Sequence, residues 1–251
     1  MLRLAAALLM SVLMMTAPAR AQGQVLSVVA DDWPPFSGPD LPGGGMSLDV
    51  ISAVLERAGY TVETQVVPWA RVLDGARSGT FDIVGSLFAD AELAEFLTYG
   101  DPFYSTKVQL VRPVGSDAAY ASVDALRPYK IAVGEGFLYQ DEFDRAAYLD
   151  KVTVTTALQA VRMVAHGRAD LTLDSVDVIQ YILNVEAPEL ADLVEPAPGV
   201  LASQDLHMAV RTDLENSARI VADFNRTLAE MRADGSLKAL LAKHIDAHVN
   251  G

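Results

Sequence analysis

Side chains able to do chemistry are few in this chain, and their spacing favours holding a molecule over transforming it. There is no cysteine among the 251 residues, which removes thiolate nucleophiles, thiolate metal sites, disulfides and Cys-linked lipid anchors together. The histidines are His166, His207, His244 and His248. Only His244 and His248 have an i, i+4 spacing suited to a metal, and Asp246 is the sole nearby third ligand, so no metal site is expected. Gly-x-Ser-x-Gly, His-Glu-x-x-His and Ser-x-x-Lys are all missing. The adjacent acids Asp31 and Asp32 point to opposite faces of an extended segment and read as a solvated strand end. What remains suits binding. Trp33 and Phe36 sit among prolines in Asp31-Asp32-Trp33-Pro34-Pro35-Phe36, where no helical stripe can claim them, and read as a stacking wall. Trp69 and Arg71 open a helix, and Arg71 is a candidate anion-binding group or the partner of Asp74 in a salt bridge. In Gly134-Glu135-Gly136-Phe137 the turn amides could receive an anion if a helix follows, or Glu135 could meet a cation. A single Gly-x-Gly is no dinucleotide or Walker pattern.

These groups need elements to aim them, and the apolar periodicity supplies those elements. Val25–Ala30 is a buried strand. Met46–Ala58 carries apolar residues at helical spacing and stops at Gly59. Thr61–Val67 is a strand, Trp69–Ser78 a helix and Asp82–Leu87 a strand. This β-α-β-α-β order predicts a parallel sheet with crossover helices. The grammar recurs in strands at Lys130–Val133, Lys151–Val154 and Leu171–Leu173, with helices at Ala157–His166 and Val176–Leu183. In both halves a helix ends in Gly-x-x-Asp before a strand, at Gly79–Asp82 and Gly167–Asp170, where Gly caps the helix and Asp accepts backbone hydrogen bonds at the strand entry. The prediction is an α/β protein of two similar lobes, each a mostly parallel sheet flanked by helices. Lys107–Arg112 and Leu206–Arg211 are the crossings of a two-strand hinge, and Leu214–Asp234 is a long helix returning to the first lobe. The expected division is 22–108 for the first part of lobe 1, 109–207 for lobe 2 and 208–251 for the return. Ligands of open α/β sheets bind beyond the carboxyl ends of the strands, so the site belongs in the interlobe cleft.

Charge and the N-terminus narrow the setting. The net charge of −14, with Lys and Arg in no run or stripe, excludes nucleic acid and anionic lipid surfaces as partners. Residues 1–21 have a basic Arg3, the apolar stretch Leu4–Ala17 and an Ala-Arg-Ala end, the pattern of a secretory signal cut before Gln22 and too short to span a bilayer. The expected location is the periplasm, with no membrane anchor and with a monomeric protein.

From Val25 to His244 the chain resembles the periplasmic solute-binding proteins of bacterial extracellular solute-binding protein family 3, which serve polar amino acid ABC importers. The stretches that carry the resemblance are Asp31–Phe36, Gly45-Met46-Ser47-Leu48-Asp49-Val50, Pro68-Trp69-Ala70-Arg71, the two Gly-x-x-Asp junctions, Gly100-Asp101-Pro102-Phe103-Tyr104 and Asn225–Gly235. Their order and spacing carry the resemblance. The pair Trp-Pro-Pro-Phe and Pro-Trp-Ala-Arg is similar to a branch that need not sit beside a transporter.

The resemblance implies a type II-like two-lobe binder that closes on a small polar or aromatic solute of amino acid-like class. It implies delivery to a membrane permease of an ABC importer or to a receptor, with no cofactor and no catalysis. It places ligand contacts on Ser86 and Phe88 at the end of the third strand; Phe137, in the turn after the second-lobe strand, is a further candidate ligand contact. Two departures bear on the ligand. The Arg that clamps an α-carboxylate in amino acid binders falls on Leu93, and the acid that meets the α-amino group falls on Ser175, with Asp174 one residue early. An ordinary α-amino acid is therefore not expected unless Arg71 and Asp174 supply the missing groups. One alternative is an enzyme on the same scaffold, since periplasmic cyclohexadienyl dehydratases look like this family, with Glu135 as its acid. Another is a sensory binding protein that reports to a receptor.

Overall fold

The computed structural model describes residues 23–249; the secretory segment expected at 1–21 lies outside the described residues. The first half builds β1 (Val25–Ala30), α1 (Met46–Arg57), β2 (Thr61–Val66), α2 (Trp69–Ser78) and β3 (Ile83–Phe88). β1 pairs in parallel with both β2 and β3. Residues 46, 50, 51, 54 and 55 of α1 face the sheet and are buried, as the helical spacing of its apolar residues requires. Gly45, with φ 100°, opens this helix where a Cβ would stand 2.6 Å from the carbonyl oxygen of Phe36, so no other residue fits there.

The second half repeats the pattern with β4 (Leu97–Tyr99), β5 (Tyr104–Pro113), β6 (Lys130–Gly134), α3 (Asp141–Arg145), β7 (Asp150–Val154), α4 (Ala157–Ala165), β8 (Leu171–Ser175) and α5 (Val176–Tyr181). β9 (Val194–Pro196) and β10 (Ala202–Arg211) follow, then α6 (Ser217–Ala233) and α7 (Ser236–Val249). β6 pairs in parallel with β7 and β8. The helix read over Val176–Leu183 leaves α geometry after Tyr181 and continues as a π-helical turn over Ile182–Glu186.

Two parallel cores, β2-β1-β3 and β8-β6-β7, are tied by the long antiparallel strands β10 and β5 into one path. The partners of β5 change from β10 to β8 at Val108, and those of β10 change from β5 to β3 at Leu206. Among the described residues two strands cross between the halves, the connectivity of a hinge. α6 packs on α1, β4 and β10, and α7 reaches from α1 to α5. His244 of α7 is buried with Nε2 2.8 Å from Oδ2 of Asp49 on α1. It thus locks helix to helix, and among the described residues no His, Cys, Asp and Glu group could hold a metal. Both Gly-x-x-Asp junctions act alike: Asp82 accepts from the N–H and Oγ of Ser27 at 3.0 and 2.9 Å, and Asp170 accepts from the N–H of Lys130 at 2.7 Å. Among the described residues no helix is long and apolar enough to cross a membrane.

Candidate functional site

The carboxyl ends of β1, β3 and β8 meet at a cleft of about 520 Å³, counting its part open to solvent. β1 runs into Asp31 and then a tight turn, in which the N–H of Trp33 donates to the carbonyl of Ser37 at 2.8 Å and the N–H of Phe36 donates back to Trp33 at 3.0 Å. That turn throws the Trp33 indole into the cleft and folds Phe36 behind it, fully buried, with ring centroids 4.7 Å apart. Phe36 also lies 6.0 Å from Tyr104 at the start of β5. It therefore braces the wall and is not part of it.

β3 supplies Ser86 and Phe88. Between the pairs Val84↔Ala209 and Leu87↔His207, two residues of β3 oppose one of β10. This β-bulge leaves Ser86 with φ 62°, in the left-handed region that a residue with a Cβ rarely adopts. Ser86 lines the cleft there, and its Oγ is buried with no hydrogen-bond partner. Phe88 meets Trp33 edge to face at 5.4 Å. From the other half come Phe137, Leu138 and Tyr139 after β6, and Asp174 and Ser175 at the end of β8.

Two tryptophans of the first half donate across the cleft. Trp33 Nε1–H donates to Asp174 Oδ1 at 3.1 Å, and Trp69 Nε1–H donates to the carbonyl of Gly136 at 3.2 Å. Asp174 also accepts from the N–H of Ser175 at 2.7 Å. Ser175 itself caps α5, with its Oγ 2.7 Å from Thr106 Oγ1 of β5. It stands in the lining, but its hydroxyl serves the hinge. Asp31 and Asp174 are both buried. Burial drives each carboxyl up to about 7; the charges of Asp174 and Asp32 add to this at Asp31, while the Ser175 amide and Trp33 ease it at Asp174. Burial likewise raises the Tyr139 phenol.

Of the ten residues expected at the site, Trp33, Trp69, Ser86, Phe88, Phe137, Asp174 and Ser175 line this cleft. Phe36 does not, for the reason given. Arg71 lies exposed on α2, outside the lining of this cleft, and makes no ion pair with Asp74 or any other acid among the described residues. Glu135 is exposed. The turn around it offers an anion little: the Glu135 amide donates to Val154, that of Phe137 to Gly134, and that of Gly134 to the Tyr139 hydroxyl. The helix that was to follow it starts only at Asp141 and spans five residues.

Sequence reasoning missed Asp31, because it took both adjacent acids as solvated. Alternation does send them to opposite sides, with Asp32 exposed, but the inward side at a strand's carboxyl end is the cleft. Tyr139, Val108 and Leu87 were also missed; Leu87 and Val108 lie in apolar strands whose cleft-facing residues carry no mark of their own. Leu93, at the place of the clamping Arg, does line the cleft and is 5% exposed.

Similar proteins agree with this architecture. The L-cystine-binding protein TcyJ of Escherichia coli is 24% identical over 240 residues, 92% of this chain and 85% of its own. A histidine kinase sensor domain with similarity to periplasmic binding proteins superposes with a TM-score of 0.78 at 24% identity, over 89% of this chain and 97% of its own. An ancestral arginine-binding protein bound to arginine gives 0.75 at 20% identity, over 87% and 97%. The family model for bacterial extracellular solute-binding proteins, family 3, matches residues 26–247. A two-core fold hinged on two strands, a cleft at the strand ends and that match over most of the chain place this protein in the bacterial extracellular solute-binding proteins, family 3.

Proposed function

We propose that the protein captures a small polar or aromatic solute of amino acid-like class in the cleft and delivers it, from the periplasm and as a monomer, to the permease of an ABC-type importer. Cleavage of residues 1–21 releases it there. The observation that carries this reading is the pair of indole bonds from Trp33 and Trp69 to Asp174 and Gly136, which tie one half of the molecule to the other around the lined space. A ligand that contacts both walls stabilises the joined form and leaves the separated form alone, so its binding energy becomes a change of shape. The permease reads that shape.

The chain suits the test. Its two tryptophans both line the cleft, so indole fluorescence reports occupancy with no background. The absence of native cysteine lets a label pair on α2 and α4 report the distance between halves. A solute that changes both signals, and whose uptake is lost when the gene is deleted, supports the reading; uptake unchanged while a signalling response is lost supports presentation to a receptor. A second reading rests on Asp31 and Asp174, two buried carboxyls held near neutrality, which is the condition for acid–base work. Turnover of prephenate or arogenate above background by the purified protein would establish it.

A further inference from the structure

Resting on the solute-binding reading, we infer that the cleft takes an organic amine, an N–H-bearing cation on an apolar body, that carries no carboxylate. The charge of the lining is one-sided. It includes the acids Asp31 and Asp174 and no Lys, Arg or His, and the position of the carboxylate clamp is the apolar Leu93. An anionic ligand group would enter a cleft lined by two buried acids with no cation to receive it. Both indole N–H groups are already committed, to Asp174 and to Gly136.

A second observation points the same way. Ser86, 2% exposed, lines the cleft from the β3 bulge, and its Oγ is buried with no hydrogen-bond partner. A buried oxygen without a partner costs about 1–3 kcal/mol, and the left-handed φ of 62° at Ser86 adds to that cost. The one hydrogen bond that eases Asp31 comes from its own backbone N–H. Three residues of one lining thus carry oxygens with acceptor capacity to spare, and an ammonium or guanidinium brings N–H donors that can meet them. A quaternary ammonium brings none. Trp33, Trp69, Phe88, Phe137 and Tyr139 supply ring surface for the apolar body and faces for the cation.

The test uses the full secreted chain and titrates matched ligands by calorimetry and indole fluorescence. Tyramine, phenethylamine, agmatine and cadaverine are each compared with the parent amino acid that differs by one carboxylate. Hydroxyphenylpropionate, which lacks the amine, and N,N,N-trimethyltyramine, which lacks N–H, complete the series, with cystine and the common amino acids as further probes. At least one amine is expected to bind about 10- to 100-fold tighter than its parent acid, the value of one charge-assisted hydrogen bond. Asp174→Asn and, independently, Asp31→Asn each lower that affinity at least about tenfold, with folding checked by circular dichroism. Among the described residues, Asp32 beside Asp31 and the Tyr139 phenol beside Asp174 are the titratable groups that act on the two acids, so amine affinity falls as pH drops below 7 and binding releases protons. Parent acids that bind as well as their amines, binding of hydroxyphenylpropionate, equal affinity for the trimethyl compound, or affinity rising at low pH each overturn the inference while leaving solute capture in place. If no probe of any kind binds, solute capture falls with it.

Discussion

Replacing Asp174 by Asn should stabilise the protein in the pH range where the wild type ionises this group. The side chain keeps its shape, and its carbonyl oxygen can still accept from Trp33 Nε1–H and the Ser175 amide. Burial carries the wild-type carboxyl from 3.8 to about 7. A rise of about three pH units corresponds to about 4 kcal/mol lost from the fold on ionisation. The sign follows from proton counts: between 3.8 and 7 the folded protein holds a proton that the unfolded chain has released. Stability is therefore greatest below pH 4, falls as pH rises to 7 and is flat beyond. Asp174→Asn and wild type should coincide at pH 4 and diverge by up to about 4 kcal/mol at pH 8, on the order of 10 °C in Tm for a chain of this size. The joined halves offer an escape, because parting them rehydrates the carboxyl, so the gain in Tm is capped at the cost of opening. Urea and thermal melts from pH 4 to 8, run beside the cross-cleft label distance, capture both routes. If Asp174→Asn neither melts higher nor holds its halves closer at pH 8, the reasoning about buried charge is refuted.

Other substitutions separate the parts of the site. Trp33→Phe keeps the ring packing on Phe36 and Phe88 but loses the bond to Asp174, and should weaken ligand binding about 10- to 100-fold by calorimetry; unchanged affinity would show that this bond does not hold the halves together. Ser86→Gly relieves a left-handed backbone position and removes the unpartnered hydroxyl, so Tm should rise by the equivalent of about 1 kcal/mol while affinity drops. A lower Tm would mean that the bulge is not strained. Leu93→Arg places a guanidinium in the cleft opposite Asp31 and Asp174 and should swing preference from amines toward their parent amino acids by at least about tenfold, which competition titrations would detect.

Much of this protein could be read before any coordinate was known. The spacing of apolar residues in 46–57 and the alternation in 61–66 depend only on the period of helix and strand, so element types and their order were legible. The two Gly-x-x-Asp junctions were legible too, because a left-handed cap and a strand-entry carboxylate act within a few residues of themselves. Positions whose role depends on a distant partner were not. Glu135 and Arg71 carried suitable charge in suitable segments, yet their side chains face solvent, and the amides around Glu135 were claimed by Val154, Gly134 and Tyr139.

The sequence by itself determined the family, the two-core order, the aromatic wall at Trp33 and the loss of the carboxylate clamp at Leu93. Only the tertiary structure decided the character of the cleft. Asp31 and Asp174 stand 143 residues apart in the numbering of one chain, and they acquire their raised pKa only when the hinge strands β5 and β10 bring two halves together and bury both carboxyls. Local chemistry is written in neighbouring residues, whereas dielectric environment is a property of the packed whole.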